Sequence, residues 1–209
     1  MYMTRMEIDT SKRESLMAIA SPGMFHGAIE SAFERGERKL WRIDSFKETL
    51  YLLIVSEKKP DLTRACEQFG TNAGWESRDY SAFLQNIREG DRFYFRLAAN
   101  PTVSKCVKKD GRGKVMAHVT AKQQENWLLE RSKKNGFSIG SEEFAAIKSE
   151  WVKFRKGHEN GRPVSFRKVI FEGVLTVINV EQFKETLKCG IGREKAYGCG
   201  LLTIARKQS

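Results

Sequence analysis

The feature that most constrains this chain is an alternation between two side-chain periods. Strand-like and helix-like stretches follow one another in the same order twice. "YMTRMEI" (2–8) alternates in its first residues and reads as a strand. Ser21-Pro22 reads as a helix start, with Ser as the cap and Pro at the first helical position. Phe25, Ile29, Ala32 and Phe33 then recur at i, i+4, i+7 and i+8, one apolar helical face. "KLWRI" and "TLYLLIVS" read as strands joined by a polar turn at Asp44–Glu48, and "DLTRACEQFG" as a short helix ending at Gly70. "RFYFRLAAN" is a strand rich in aromatics. The order is β-α-β-β-α-β, the ferredoxin-like arrangement.

The second half repeats that order. "KVMAHVT" is a weak strand, and "AKQQENWLLERSKKNG" a helix with Lys133 and Lys134 in its last turn and Gly136 beyond it. "EWVKFRK" and "VIFEGVLTVI" are strands, "EQFKETLK" a short helix and "GLLTIAR" a last strand. The fold class expected is α+β, two tandem ferredoxin-like (RRM-like) domains at 1–107 and 115–209, with "KKDGRGK" (Lys108–Lys114) as the linker. The repeat is one of element order only, without self-similarity in the sequence.

Charge separates the halves. The net charge is +11. Residues 1–104 hold 15 Lys/Arg and 15 Asp/Glu, whereas residues 105–209 hold 22 and 11, so the whole excess lies in the second half. Such a surface suits a polyanion, because each neutralised phosphate releases counterions. A merely soluble basic surface is the alternative. An anionic membrane is a poor partner, since no helix pairs a basic face with a wide apolar one. No stretch approaches 18 uninterrupted apolar residues, the N-terminus lacks a signal-like apolar run, and a cytoplasmic location is expected. None of the four cysteines forms a CxxC pair and the three histidines do not cluster with them, so neither a zinc site nor any other metal or cofactor is expected. Tandem ferredoxin-like units with a basic second half point toward RNA, although "FYFRL" lacks the glycine pattern of the RRM signature.

Particular residues resemble a known family. "MYMTRMEID" at the start, "FHGAIESAF" (25–33), "RKLWRID" (38–44), "FYFRLAANPT" (93–102), "FEGVLTV" (171–177) and "GIGREKAYGCGLL" (190–202) occur in the order found in the CasE-type CRISPR RNA-processing endoribonucleases of the Cas-six superfamily. These are the RNA-cutting subunits of type I-E Cascade. The resemblance implies metal-independent cleavage of precursor CRISPR RNA at the base of the repeat hairpin, retention of the crRNA product, and the other Cascade subunits as partners.

The family's catalytic histidine lies in the first helix, and the matching position is His26. The chemistry asks for such a group: metal-free RNA cleavage by the 2′-OH needs a base near neutral pH, an acid for the leaving 5′-oxygen, and cations around the phosphorane. His26 sits one position past Phe25, at the edge of the apolar face and near a helix N-terminus. A hydrogen-bonded surface histidine is the alternative. Some family members carry a helper tyrosine three residues before the histidine. Here that position is Gly23, which keeps open a second reading as a non-catalytic RNA-hairpin-binding subunit. Arg38, with Lys39 beside it, is a candidate source of transition-state charge. His118 reads as structural. His158, in the basic loop "RKGHENGR", is a candidate RNA contact.

Two further stretches are candidate RNA-binding elements. The hairpin "WVKFRKGHENGRPVSFRKV" offers Arg155, Lys156, Arg162, Arg167 and Lys168. The glycine-rich loop before the last strand offers Gly192, Arg193, Lys195 and Gly198. Its order is helix–loop–strand rather than the strand–loop–helix of a dinucleotide site. Backbone amides there could cradle a phosphate, with simple turn geometry as the alternative.

Overall fold

Residues 1–105, 114–157 and 161–206 are described by a computed structural model. The first sheet is built around β1 (Tyr2–Ile8), which lies between β3 (Thr49–Ser56) and β4 (Gly70–Asp79), with β2 (Lys39–Phe46) beside β3. All pairs are antiparallel. Thr4, Met6 and Ile8 share the buried face of β1, as period-2 alternation requires. Three helices cover that face: α1 (Arg13–Ala20), α2 (Gly23–Ser31) and α3 (Thr63–Phe69). Phe25 of α2 meets Phe69 of α3 with ring centroids 4.9 Å apart, over Met6, Leu52 and Ile54.

The second sheet has the order β11-β5-β10-β9, formed by β5 (Arg92–Ala99), β9 (Phe144–Arg155), β10 (Pro163–Val177) and β11 (Leu202–Arg206). The two-residue β8 (Phe137–Ser138) pairs with the end of β10. Helices α5 (Ala121–Ser132) and α6 (Val180–Cys189) cover one face, closing a core of Phe93, Phe95, Leu97, Trp127, Phe171 and Phe183. Thr120 and Gln123 form a capping box that starts α5, and Asn179 accepts from Gln182 N at the start of α6. Both sheets have the ferredoxin-like strand order, so the chain is α+β with two such units in tandem.

Several expectations change. "RFYFRLAAN", taken as the last strand of the first unit, is β5, the central strand of the second sheet; it pairs with β10 and β11. The fourth strand of the first sheet is β4, which the sequence leaves unassigned because its polar residues show no alternation. The short α4 (Ser81–Gln85) leads from β4 to β5, so the change of sheet falls there rather than near residue 107. "KVMAHVT" supplies β7 (Lys114–Ala117), which pairs only with β6 (Thr102–Lys105) in a ribbon outside both sheets. Most of the expected linker lies outside the described residues. Helix α1 precedes the His26 helix, which is therefore the second in the chain rather than the first. Ser21 supplies no side-chain cap, and Pro22 occupies the N-cap position.

One buried side chain ties the sheets together. Arg42 of β2 is 1% exposed. It donates to Asp44 through Nε (2.7 Å) and one terminal nitrogen (2.6 Å), to the carbonyls of Arg96 and Leu201 (2.9 Å each), and to Thr203 Oγ1 (2.8 Å). The last three acceptors belong to β5, β11 and the residue before β11.

Candidate active site

His26 lies in the first turn of α2, where its backbone N–H donates to the Pro22 carbonyl (3.0 Å). Its side chain is 31% exposed, open enough to be reached. Nδ1 is 3.7 Å from Glu30 Oε1 one turn along, and Glu30 Oε2 accepts from Lys39 Nζ at 2.8 Å. The lysine side chain is only 6% exposed. Burial pulls the imidazole below its ordinary pKa. Glu30 opposes this, and the charges of Lys39 and Lys156 add to it. The balance favours the neutral ring, which can accept a proton, with the Lys39 and Lys156 charges acting on it.

The space beside it is aromatic. Tyr197, from the glycine-rich loop, meets His26 edge-on at 6.0 Å between ring centroids. Tyr197 also packs edge-on against Phe154 (4.9 Å) and is stacked on Phe166 (6.1 Å). The helper position is closed: a Cβ on Gly23 would lie 3.3 Å from the Phe154 ring. A side chain at that position requires the Phe154 ring to give by a few tenths of an ångström. The β9–β10 hairpin of the second sheet thus packs onto the start of α2 through Phe154.

The glycine-rich loop is shaped by its own packing. Glu194, Gly192 and Gly198 all have left-handed backbones (φ 59°, 86° and 76°). The missing Cβ atoms of Gly192 and Gly198 would meet the rings of Trp127 (3.2 Å) and Trp41 (3.1 Å). The amides of Tyr197 and Cys199 donate to the Glu194 carbonyl, and that of Gly200 to Ala98. These three amides are used internally and ring packing gives Gly192 and Gly198 a turn role, while the phosphate cradle stays a proposal for the rest of the loop. Lys195 Nζ donates to the Cys189 carbonyl at the end of α6 (2.5 Å), and burial lowers its pKa; it is a helix-end contact. Arg193 is exposed.

The hairpin candidates divide between two faces. Directly opposed residues share a face, so Arg155, Trp151 and Arg167 lie on one side of the ladder. The Arg167 guanidinium sits 5.5 Å from the Trp151 ring centroid, and its Nε donates to Ser149 Oγ (2.8 Å). Lys168 points the other way with Phe166 and Ile170. Burial lowers its pKa, with Cys199, Glu150, Arg42 and Lys148 around it, and the residue is half-buried. Arg155 and Arg162 are exposed near the turn, and Lys156 comes close enough to His26 to act on its charge. His158 lies outside the described residues. Arg38 is directed to Cys189 and Glu185 on α6, so the structure does not bring it to His26. His118 is tied in by its backbone, to Pro101 and Gln124. Among the described residues, no three His, Cys, Asp or Glu side chains gather as metal ligands. No helix among them is long and apolar enough to cross a membrane.

A family model described as CRISPR associated protein matches residues 1–206. This chain belongs to that family. A Thermus thermophilus protein named CRISPR-associated endoribonuclease Cse3 is 28% identical over 223 residues, covering 98% of this chain and all of the relative. The Escherichia coli CRISPR system Cascade subunit CasE is 32% identical over 126 residues, covering 57% of this chain and 60% of its own length. A solved structure of CRISPR endoribonuclease Cse3 bound to 19 nt RNA superposes with a TM-score of 0.83 at 26% identity, covering 98% of this chain and all of the other. The CasE-type resemblance read from the short stretches therefore extends along the whole chain.

In this CRISPR-associated protein the residues that complete the His26 environment are Glu30, Lys39, Lys156, Tyr197 and Phe154. Of these, Lys39 and Lys156 are candidates from the sequence. Glu30 carried a signal, being four residues after His26 on one helix face. Tyr197 and Phe154 carried none, since only the packing of the second unit on the first brings them there.

Proposed function

We propose that this protein is an endoribonuclease that cuts CRISPR precursor RNA at the base of the repeat hairpin without a metal, keeps the crRNA and serves as a Cascade subunit. The observation that carries the reading is His26: partly exposed at the start of α2, with burial and the charges of Lys39 and Lys156 favouring its neutral ring. A neutral imidazole removes the proton from the 2′-OH as that oxygen attacks the adjacent phosphorus. The imidazolium, or a second acid, protonates the leaving 5′-oxygen, and the exposed Lys156 ammonium offsets charge on the phosphorane. The relative named as an endoribonuclease and the fold neighbour solved with RNA support the substrate class.

The test is cleavage of the cognate repeat RNA. Cutting is expected to survive EDTA and to leave a 2′,3′-cyclic phosphate and a 5′-hydroxyl. His26→Ala and a 2′-deoxy nucleotide upstream of the scissile phosphate are each expected to stop cutting but not binding, His26→Ala by about 10²–10⁴-fold. Chelation that abolishes cutting, restored by Mg²⁺, overturns the mechanism, as does normal cutting of the deoxy substrate. Phe154 over Gly23 favours a second reading, an RNA-hairpin-binding subunit that does not cut. Tight binding with no cleavage by the wild type selects it.

A further inference from the structure

One cavity lies on the far side of the aromatic cluster beside His26 and is left without an occupant by the chemistry above. β10 loses its β5 partner beyond Val169, because β5 ends at Ala99 and the chain turns away into the β6–β7 ribbon. The edge of β10 at Ser165 and Phe166 therefore opens into a cavity of about 560 Å³. Trp151, Asn100, Arg193 and Glu194 line it with them. Phe166 links this cavity to the active site, since it also stacks on Tyr197, whose edge meets His26.

Its lining has the parts of a base-binding site. Trp151 is 47% exposed, whereas Trp41 and Trp127 are each 2% exposed, so an indole stands unburied at the wall. Arg167 lies over this ring. Asn100 is only 4% exposed, yet its side-chain oxygen has no hydrogen-bond partner among the described residues. Buried polar atoms in folded proteins are nearly always paired. Glu194 is held in a left-handed backbone, which a non-glycine residue adopts only when its surroundings impose it. An exposed aromatic face takes a base by stacking, and carboxamide and carboxylate oxygens accept from exocyclic amino groups. Arg193, exposed at the rim, fits the attached phosphate.

We infer that this cavity takes one unpaired nucleotide of the bound RNA, stacked on Trp151, whose base carries an exocyclic amino group facing Asn100 and Glu194. Adenine, cytosine and guanine satisfy that condition and uracil does not. The inference rests on the RNA-binding reading above, and it adds a specificity site to it.

The experiment uses the whole protein and its cognate repeat transcript, with an abasic site placed at each unpaired position in turn. One position is expected to lower affinity roughly tenfold, within the range for loss of a base–aromatic stack. Uridine there acts like the abasic site. Trp151→Ala is expected to lose the same affinity and to become insensitive to that position, while Trp151→Phe keeps the sensitivity. Independently of any variant, the wild type's tryptophan fluorescence is expected to be quenched by the intact RNA and not by the RNA abasic at that position. If the transcript binds tightly but every abasic effect is additive with Trp151→Ala, and no position alters the quenching, the pocket is overturned and the RNA reading stands. If the transcript does not bind, both fall.

Discussion

His26 is governed by three neighbouring charges of mixed sign and by its own burial. Burial, Lys39 and Lys156 favour the neutral ring, and Glu30 favours the charged one. The sign of each effect is testable. If the neutral imidazole is the base, cleavage falls as pH drops through its pKa, so the acid limb of the rate profile is expected to have its midpoint below the ordinary histidine value of about 6.5. Lys156→Gln removes a charge that opposes protonation and should move the midpoint up. Glu30→Gln removes one that favours it and should move the midpoint down. Single-turnover rates against pH measure both shifts. A midpoint that neither substitution moves shows that another group titrates. The same residue scale explains the closed helper position: Gly23 has no side chain, and Phe154 takes the space.

At the scale of elements, the β9–β10 hairpin and the glycine-rich loop do different work. The hairpin keeps exposed cations near its turn, whereas Lys168 is turned inward. Replacing Arg155 and Arg162 by Glu is expected to weaken RNA affinity and to flatten its log–log salt dependence by about 0.7–0.9 per lost phosphate contact. Lys168→Gln is expected to leave that slope unchanged. Binding titrations over a range of salt separate the two. Two glycines of the loop have a packing role. Gly198→Val forces a β-branched residue into a left-handed backbone (φ 76°), with its Cβ 3.1 Å from the Trp41 ring. A loss of about 1–3 kcal/mol is expected from thermal or denaturant unfolding. Unchanged stability combined with lost RNA binding would favour the phosphate-cradle reading.

Across the whole molecule, the candidate site exists because two sheets meet. His26, Glu30 and Lys39 come from the first unit; Tyr197, Phe154 and Lys156 come from the second. Arg42 spans the junction, buried and bonded to Asp44, Arg96, Leu201 and Thr203. Arg42→Ala leaves Asp44 and three acceptors without that donor. The loss expected is about 3–5 kcal/mol, the usual range for breaking a buried charged pair. Chemical unfolding of the variant checks it, and a change under about 1 kcal/mol would mean the junction does not depend on this side chain.

Helix faces, most strand positions and the lopsided charge were legible in the sequence, because periodicity and composition are local properties. The alternation of Phe93, Phe95 and Leu97 identifies a strand from its own residues, and the position of His26 at the edge of an apolar face exposes it for chemistry. Which sheet that strand joins is not a local property. Its apolar face fits either unit, and only pairing with β10 and β11 assigns it to the second. Lys168 and Arg167 are adjacent and equally basic in sequence, yet strand alternation sends one inward and the other onto Trp151. Tyr197 stands 171 positions from His26 along the chain, and no spacing rule connects residues so far apart. Their meeting was decided by tertiary structure, because burial of Arg42 and the fit of Phe154 over Gly23 dock the second sheet on the first.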